Sequence, residues 1–233
     1  MKVAIMQPYI FPYLGYFQLI KSVDKFIFYD DVNFIKKGWI NRNKILINGK
    51  ESIITFPLIK ASQNKLINEI DLFLNNKDKK KIIAKLEMAY KKAPYFDSTI
   101  NLVKEIINAD LSNIAKYSAN SITKISDFLE IDVSFDFSSI QSPESKGMDK
   151  ADRLIFISKT LGAEQYINSI GGQELYDKNY FSNYHIDLRF IKTLDFKYQQ
   201  FNHPFIPALS IIDVLMFNSK GDIGKMLNQY ELA

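Results

Sequence analysis

The sequence predicts an α/β fold with a mixed or mostly parallel sheet, and three observations carry that expectation. The chain opens on strand, helix, strand; an Asn-Gly pair separates two β-rich runs; and a helical stretch is followed by renewed alternation of short strands and helices. At 233 residues it suits a single α/β domain, 1–233, with 76–130 as a helical insertion or lid.

The opening unit is the most informative. Lys2-Val-Ala-Ile-Met6 is a short apolar run with β-branched residues, Pro8 and Pro12 pin the loop that follows, and Gly15 falls in the first turn of an amphipathic helix through Ile20. Lys25-Phe-Ile-Phe-Tyr29 is the second strand, ending at Asp30-Asp31. Such a unit pairs its strands in parallel through a right-handed crossover, and ligands of open α/β sheets collect beyond the strands' carboxyl ends. The Gln7 to Tyr16 loop and the two aspartates belong there, so the site is expected where they open onto a common cavity.

Trp39 to Ile47 and Lys50 to Phe56 flank Asn48-Gly49, a hairpin signal because both turn positions need positive φ. Pro57 closes the second strand, and Leu66 to Leu72 reads as a further short strand. From Asn76 to Glu130 apolar residues recur at three-and-four spacing; Pro94 divides the first helix from the second, and Asp110-Leu-Ser112 offers a capped start to the third. Val133 to Phe137 reads as a strand, Asp149 to Leu161 as a helix stopped by Gly162, Gln165 to Ser169 and Leu188 to Ile191 as strands, and Ser210 to Asn218 as a helix.

Composition removes several function classes. There is no cysteine, so disulfides, thiolate nucleophiles and cysteine metal sites are absent; two histidines exclude a multi-histidine site, and no metal site is expected. No apolar run approaches the roughly 18 residues that span a bilayer, and Met1-Lys2-Val3 enters a strand, so a cytoplasmic protein without a membrane span is expected. The formal charge is only +4, and the lysines between Lys77 and Lys92 read as a solvated helix face, so no nucleic-acid partner is expected.

Residues at several positions carry candidate chemistry. Asp30 and Asp31 are paired carboxylates suited to acid–base work, and Lys37, Trp39, Asn41 and Arg42 offer cationic, planar and amide donors for a phosphate or carboxylate. His203 is the histidine candidate for proton transfer, and Asn168, Gly172 and Glu174 sit in a polar loop where glycine permits close backbone approach. Ser210 with Asp213 reads as a helix capping pair rather than a nucleophile, since no Gly-x-Ser-x-Gly elbow surrounds it.

Gln7-Pro8, Pro12-x-x-Gly15-Tyr16-Phe17, Asp30-Asp31-Val32 and Trp39-Ile40-Asn41-Arg42-Asn43 together resemble the WbqC-like proteins of bacterial surface-polysaccharide (O-antigen) genes. Tyr166-Ile167-Asn168, Gly171 to Tyr176 and Phe205 to Asn218 extend the resemblance over nearly the whole chain. The resemblance implies transfer of glycine or another aminoacyl group to an amino sugar, most simply a nucleotide-linked one, and its rival is a non-catalytic sugar-nucleotide-binding protein. Tyr13-Leu14-Gly15-Tyr16 also stands where nucleotidylyltransferase-like Rossmannoid enzymes carry His-x-Gly-His. Neutral tyrosines cannot supply an imidazolium's charge, so ATP enters as an expected co-substrate only if the donor is activated as an adenylate. Gln7, Pro12, Gly15 and Tyr16 are accordingly the first-loop candidates for substrate or nucleotide binding.

Overall fold

The computed structural model describes all 233 residues. In chain order, β1 (Lys2–Met6) leads through the Pro8–Pro12 loop to α1 (Leu14–Lys21) and β2 (Lys25–Phe28), followed by β3 (Arg42–Ile47) and β4 (Lys50–Thr55). Three helices come next, α2 (Asn76–Tyr90), α3 (Phe96–Asn108) and α4 (Ile114–Phe128), then β5 (Ser134–Phe137), α5 (Ser138–Gln141), α6 (Lys150–Thr160) and β6 (Gln165–Ser169). The chain ends with α7 (Lys178–Ser182), β7 (Asp187–Thr193), α8 (Ile211–Phe217), α9 (Lys220–Met226) and β8 (Tyr230–Leu232).

Six strands form one sheet in the order β5-β2-β1-β6-β7-β8, parallel except for β8, which runs antiparallel to β7. The chain builds outward from β1 through β2 to β5, then returns to lay β6 against the other side of β1. The fold is therefore a doubly wound, mostly parallel α/β sheet, and its strand order reverses between β1 and β6.

Strand alternation sends side chains to two cores. Ala4, Phe26, Phe28, Ile167 and Ile191 join a large cluster with α1, the hairpin, α2–α4 and α8; Val3, Ile5, Ile27, Tyr166, Leu188 and Phe190 join a smaller one with α6 and α7. Both faces are covered at β1 and β2, which is why these two strands read as nearly unbroken apolar runs. In α2 the stripe Ile82, Leu86, Tyr90 is buried, and Leu86, Tyr90, Val103, Ile107 and Ile122 share the core of Phe11 and Phe56.

β3 and β4 form a separate antiparallel hairpin in which Ile47 pairs with Lys50 across Asn48 (φ 50°) and Gly49 (φ 71°). Three local expectations are corrected. Leu66 to Leu72 is no strand but a 3-10 turn at Ile67–Glu69 between single bridges, because its amides bond to the exit of β2, Ile67 N–H to Val32 O and Asn68 N–H to Asp30 O. The third helix of the middle block is capped by Asn113, whose side chain accepts from the Ala115 and Lys116 amides, rather than within Asp110 to Ser112. Helix α1 is buried on every side but Lys21, not amphipathic. Gln18 is tolerated there because it donates to Met226 O and Gln229 O and accepts from the Thr193 hydroxyl at 2.6 Å.

Candidate functional site

The reversal of strand order leaves a crevice at the carboxyl ends of β1 and β6, with no helix between the two strands to fill it. A cavity of about 240 Å³ opens there, lined by Gln7 and Met6 from the exit of β1, Asn168 and Ser169 from the end of β6, Gly172 from the turn after it, and the rings of Tyr29 and Tyr176. The side-chain amide of Gln7 has no partner within the protein, and neither has the Asn168 Nδ2 group, whose own Oδ1 accepts from the Ser169 amide at 2.8 Å. Asn168 is held upright by close packing: a Cβ on Gly172 would stand 2.7 Å from Asn168 Nδ2, so glycine keeps that donor in place.

Burial pushes the hydroxyls of Tyr29 and Tyr176 above their ordinary value of 10.0; the Arg153 cation opposes that rise at Tyr29. Both stay protonated at neutral pH and act as neutral donors or acceptors. The guanidinium of Arg153 lies 4.8 Å from the Tyr29 ring centroid and meets the Asp31 carboxylate at 2.5 Å, with both charged side chains almost fully buried. Tyr29 is thus clamped from behind by an ion pair, and it presents its free edge to the crevice.

The first loop is fastened along its length. Asn43 Nδ2 donates to Ile10 O at 3.1 Å and Phe11 O at 2.8 Å, Ser210 Oγ donates to Phe11 O at 2.7 Å, and the Phe11 amide donates to Ser121 Oγ at 3.3 Å. These partners hold Phe11 at φ 44°, a left-handed conformation costly for a bulky residue. The Tyr16 hydroxyl, buried and raised well above its ordinary value by desolvation, donates to Gln7 O at 2.8 Å and so sets the start of the loop. Pro12 O accepts from the Ile211 amide.

The structure brings together Gln7, Asn168 and Gly172 and disperses the other expected residues. Gly15 lines a second cavity, of about 260 Å³, between the start of α1 and the exit of β7. Asp30 lines a third, of about 360 Å³, with Asn68 and Lys116. Its carboxylate accepts from the hydroxyls of Ser138 and Ser139, the Ser139 amide and Asn68, while Asp31 accepts from Ser138 at 2.5 Å and from Arg153. The two aspartates and the first loop therefore do not open onto one cavity: the serine-rich start of α5 engages both carboxylates, with Asn68 holding Asp30 and Arg153 of α6 holding Asp31.

Lys37, Trp39, Asn41 and Arg42 line none of these three cavities and knot the base of the hairpin instead. Arg42 donates to the backbone carbonyls of Gly38 and Lys37 and its guanidinium stands 5.6 Å from the Trp39 ring, while Asn41 donates to Phe56 O at 2.8 Å. His203 packs its ring on the hairpin turn, where a Cβ on Gly49 would meet it at 2.7 Å. Glu174 is exposed beside the crevice without lining it. Ser210 caps α8 by accepting from the Ile212 amide at 3.2 Å, but Asp213 does not complete a capping box. Its carboxylate instead accepts from Tyr90, Tyr198 and Gln200 at 2.7 to 2.8 Å.

Tyr176 belongs to the polar loop that the sequence marked, whereas Tyr29 and Arg153 were not among the residues the sequence suggested. Tyr29 is the last residue before the aspartate pair, a position the strand-end rule covers; Arg153 gives no signal, being one basic residue in a helix that carries several.

In doubly wound α/β sheets ligands collect at the reversal of strand order, and here free amide groups and aromatic rings stand at that place. The chain belongs to the WbqC-like protein family, whose model matches residues 7–224. It is 28% identical over 225 residues, 93% of either chain, to the uncharacterized protein Rv1507c of Mycobacterium tuberculosis (strain ATCC 25618 / H37Rv). No solved structure matches it.

Proposed function

We propose that this protein works in surface-polysaccharide (O-antigen) synthesis, seating a nucleotide-linked amino sugar in the crevice between β1 and β6 while glycine or another aminoacyl group is transferred to its amine. The observation that carries this reading is the pair of unpartnered side-chain amides, Gln7 and Asn168, at the carboxyl ends of adjacent parallel strands. Amides match the mixed donor and acceptor pattern of sugar hydroxyls, and the Tyr29 and Tyr176 rings supply apolar surface for a pyranose face. At about 240 Å³ the crevice suits one sugar ring rather than a whole sugar nucleotide.

In the transfer, the sugar amine adds to the carbonyl carbon of an aminoacyl adenylate. The C–N bond forms as the acyl–phosphate bond breaks, AMP leaves, and the amine's proton passes to water. ATP and the free amino acid supply the adenylate with release of pyrophosphate. Incubating pure protein with ATP, glycine and amino-sugar nucleotides should yield a product heavier by one glycyl residue in mass spectrometry; an unchanged mass with every donor tried counts against transfer.

One observation favours a second reading, sugar-nucleotide binding without turnover. No carboxylate, imidazole or lysine lines the crevice, so the protein presents no general base to the amine there. Calorimetric binding of an amino-sugar nucleotide together with no product would select that reading.

A further inference from the structure

The second cavity has a different chemistry from the crevice. Its only charged lining residue is Asp195, which makes no ion pair and no side-chain hydrogen bond within the protein, and no lysine or arginine lines it. Three aromatic rings form one corner: Phe196 and Tyr198 are parallel within 9° with centroids 6.3 Å apart, and Phe205 stands edge-on to both, 5.0 Å from Tyr198 and 6.4 Å from Phe196. Tyr198 donates its hydroxyl at 2.7 Å to Asp213, a fully buried carboxylate. That bond fixes the ring and leaves it richer in electrons, so its face attracts cations more strongly.

We propose that this cavity binds the ammonium head of a small organic amine, with Asp195 as counter-charge and Phe196, Tyr198 and Phe205 as the π faces. An uncompensated carboxylate beside electron-rich rings attracts a cation from both directions, and the same groups repel phosphate. At about 260 Å³ the cavity lies just below the roughly 300 Å³ where drug-sized ligand sites begin, which suits a small head group. The cavity lies on the far side of the first loop from the crevice and shares no lining residue with it, so this proposal stands apart from the aminoacyl-transfer reading.

Calorimetric titration of the full chain with glycinamide, which carries the ammonium, and with N-acetylglycinamide, which lacks it, tests this. Glycinamide should bind, more weakly as salt rises, and the acetylated compound at least tenfold less well. Asp195→Asn should weaken glycinamide about tenfold without moving the thermal midpoint, and Phe196→Leu should weaken it as well. No heat with glycinamide, equal affinity for the acetylated compound, or indifference to Asp195→Asn overturns the proposal. Glycinamide binding without amide formation leaves the cavity assigned and counts only against the transfer reading.

Discussion

Arg153 is the residue whose loss the structure makes most costly. It pairs with Asp31 at 2.5 Å, both side chains almost fully buried, donates to Asp31 O and Ser145 Oγ, and packs on the Tyr29 ring. Removing one partner of a buried ion pair strands the other, at about 3 to 5 kcal/mol. Arg153→Met should therefore lower stability by about that amount in urea unfolding, and adding Asp31→Asn should recover part of it. A variant within about 0.5 kcal/mol of the parent would show that the pair is not closed in solution. Asn168 differs, since only its Oδ1 is bonded within the protein, to the Ser169 amide, while its Nδ2 is left free. Asn168→Ala should lower the urea midpoint only slightly, through the lost bond from the Ser169 amide, and weaken an amino-sugar nucleotide about tenfold by calorimetry, the worth of a well-made hydrogen bond. Equal affinity would move the sugar out of the crevice.

Among the elements, the helix starts separate local from long-range roles. Asn75 caps α2 through the Lys77 and Asp78 amides alone, whereas Asn113 caps α4 and also donates to Asn68 O and Ile70 O. Asn75→Ala should cost about 1 kcal/mol and Asn113→Ala about twice that in denaturant unfolding; equal costs would mean that the Asn113 bridge to the 3-10 turn carries no load. The same contrast explains what the sequence disclosed. Strands β1 and β2 were legible because apolar runs mark their buried faces, β5 and β7 because apolar and polar residues alternate along them, and the hairpin because Asn48-Gly49 meets a backbone requirement. Gln7 was legible as a strand-end residue; that Asn168 and Gly172 share its crevice was not, since that follows from the pairing of β6 with β1. The fate of Asp30 and Asp31 was not, since Ser138, Ser139 and Arg153 reach them from more than 100 positions away. Arg42 as a brace of the hairpin was one of the two roles its position allowed, but spacing could not show that His203 packs on the hairpin turn.

For the whole molecule, acidity acts through the one carboxylate sealed between the helical block and α8. Desolvation raises Asp213 above 3.8 despite the hydrogen bonds from Tyr198, Tyr90 and Gln200. The folded state then holds this proton more tightly than the unfolded chain, so as pH rises from 3.8 through the raised value the protein loses stability relative to a form that cannot ionise there. Comparing thermal midpoints of the parent and Asp213→Asn across this interval should show the parent falling behind as pH rises; a constant gap, or one of opposite slope, would mean that Asp213 titrates normally. Tyr198 joins this carboxylate to the aromatic cavity, so the two share a wall.

The span from Gln7 to Tyr13 partitions the upper edge of the sheet, with one end bordering the polar recess and the other the aromatic one. Fastened to β3, α4 and the start of α8, it has little freedom to give way to one guest while keeping its shape for the next. Two occupants would sense each other through this partition, and equilibrium demands that the factor by which the first alters the second's affinity be returned in full.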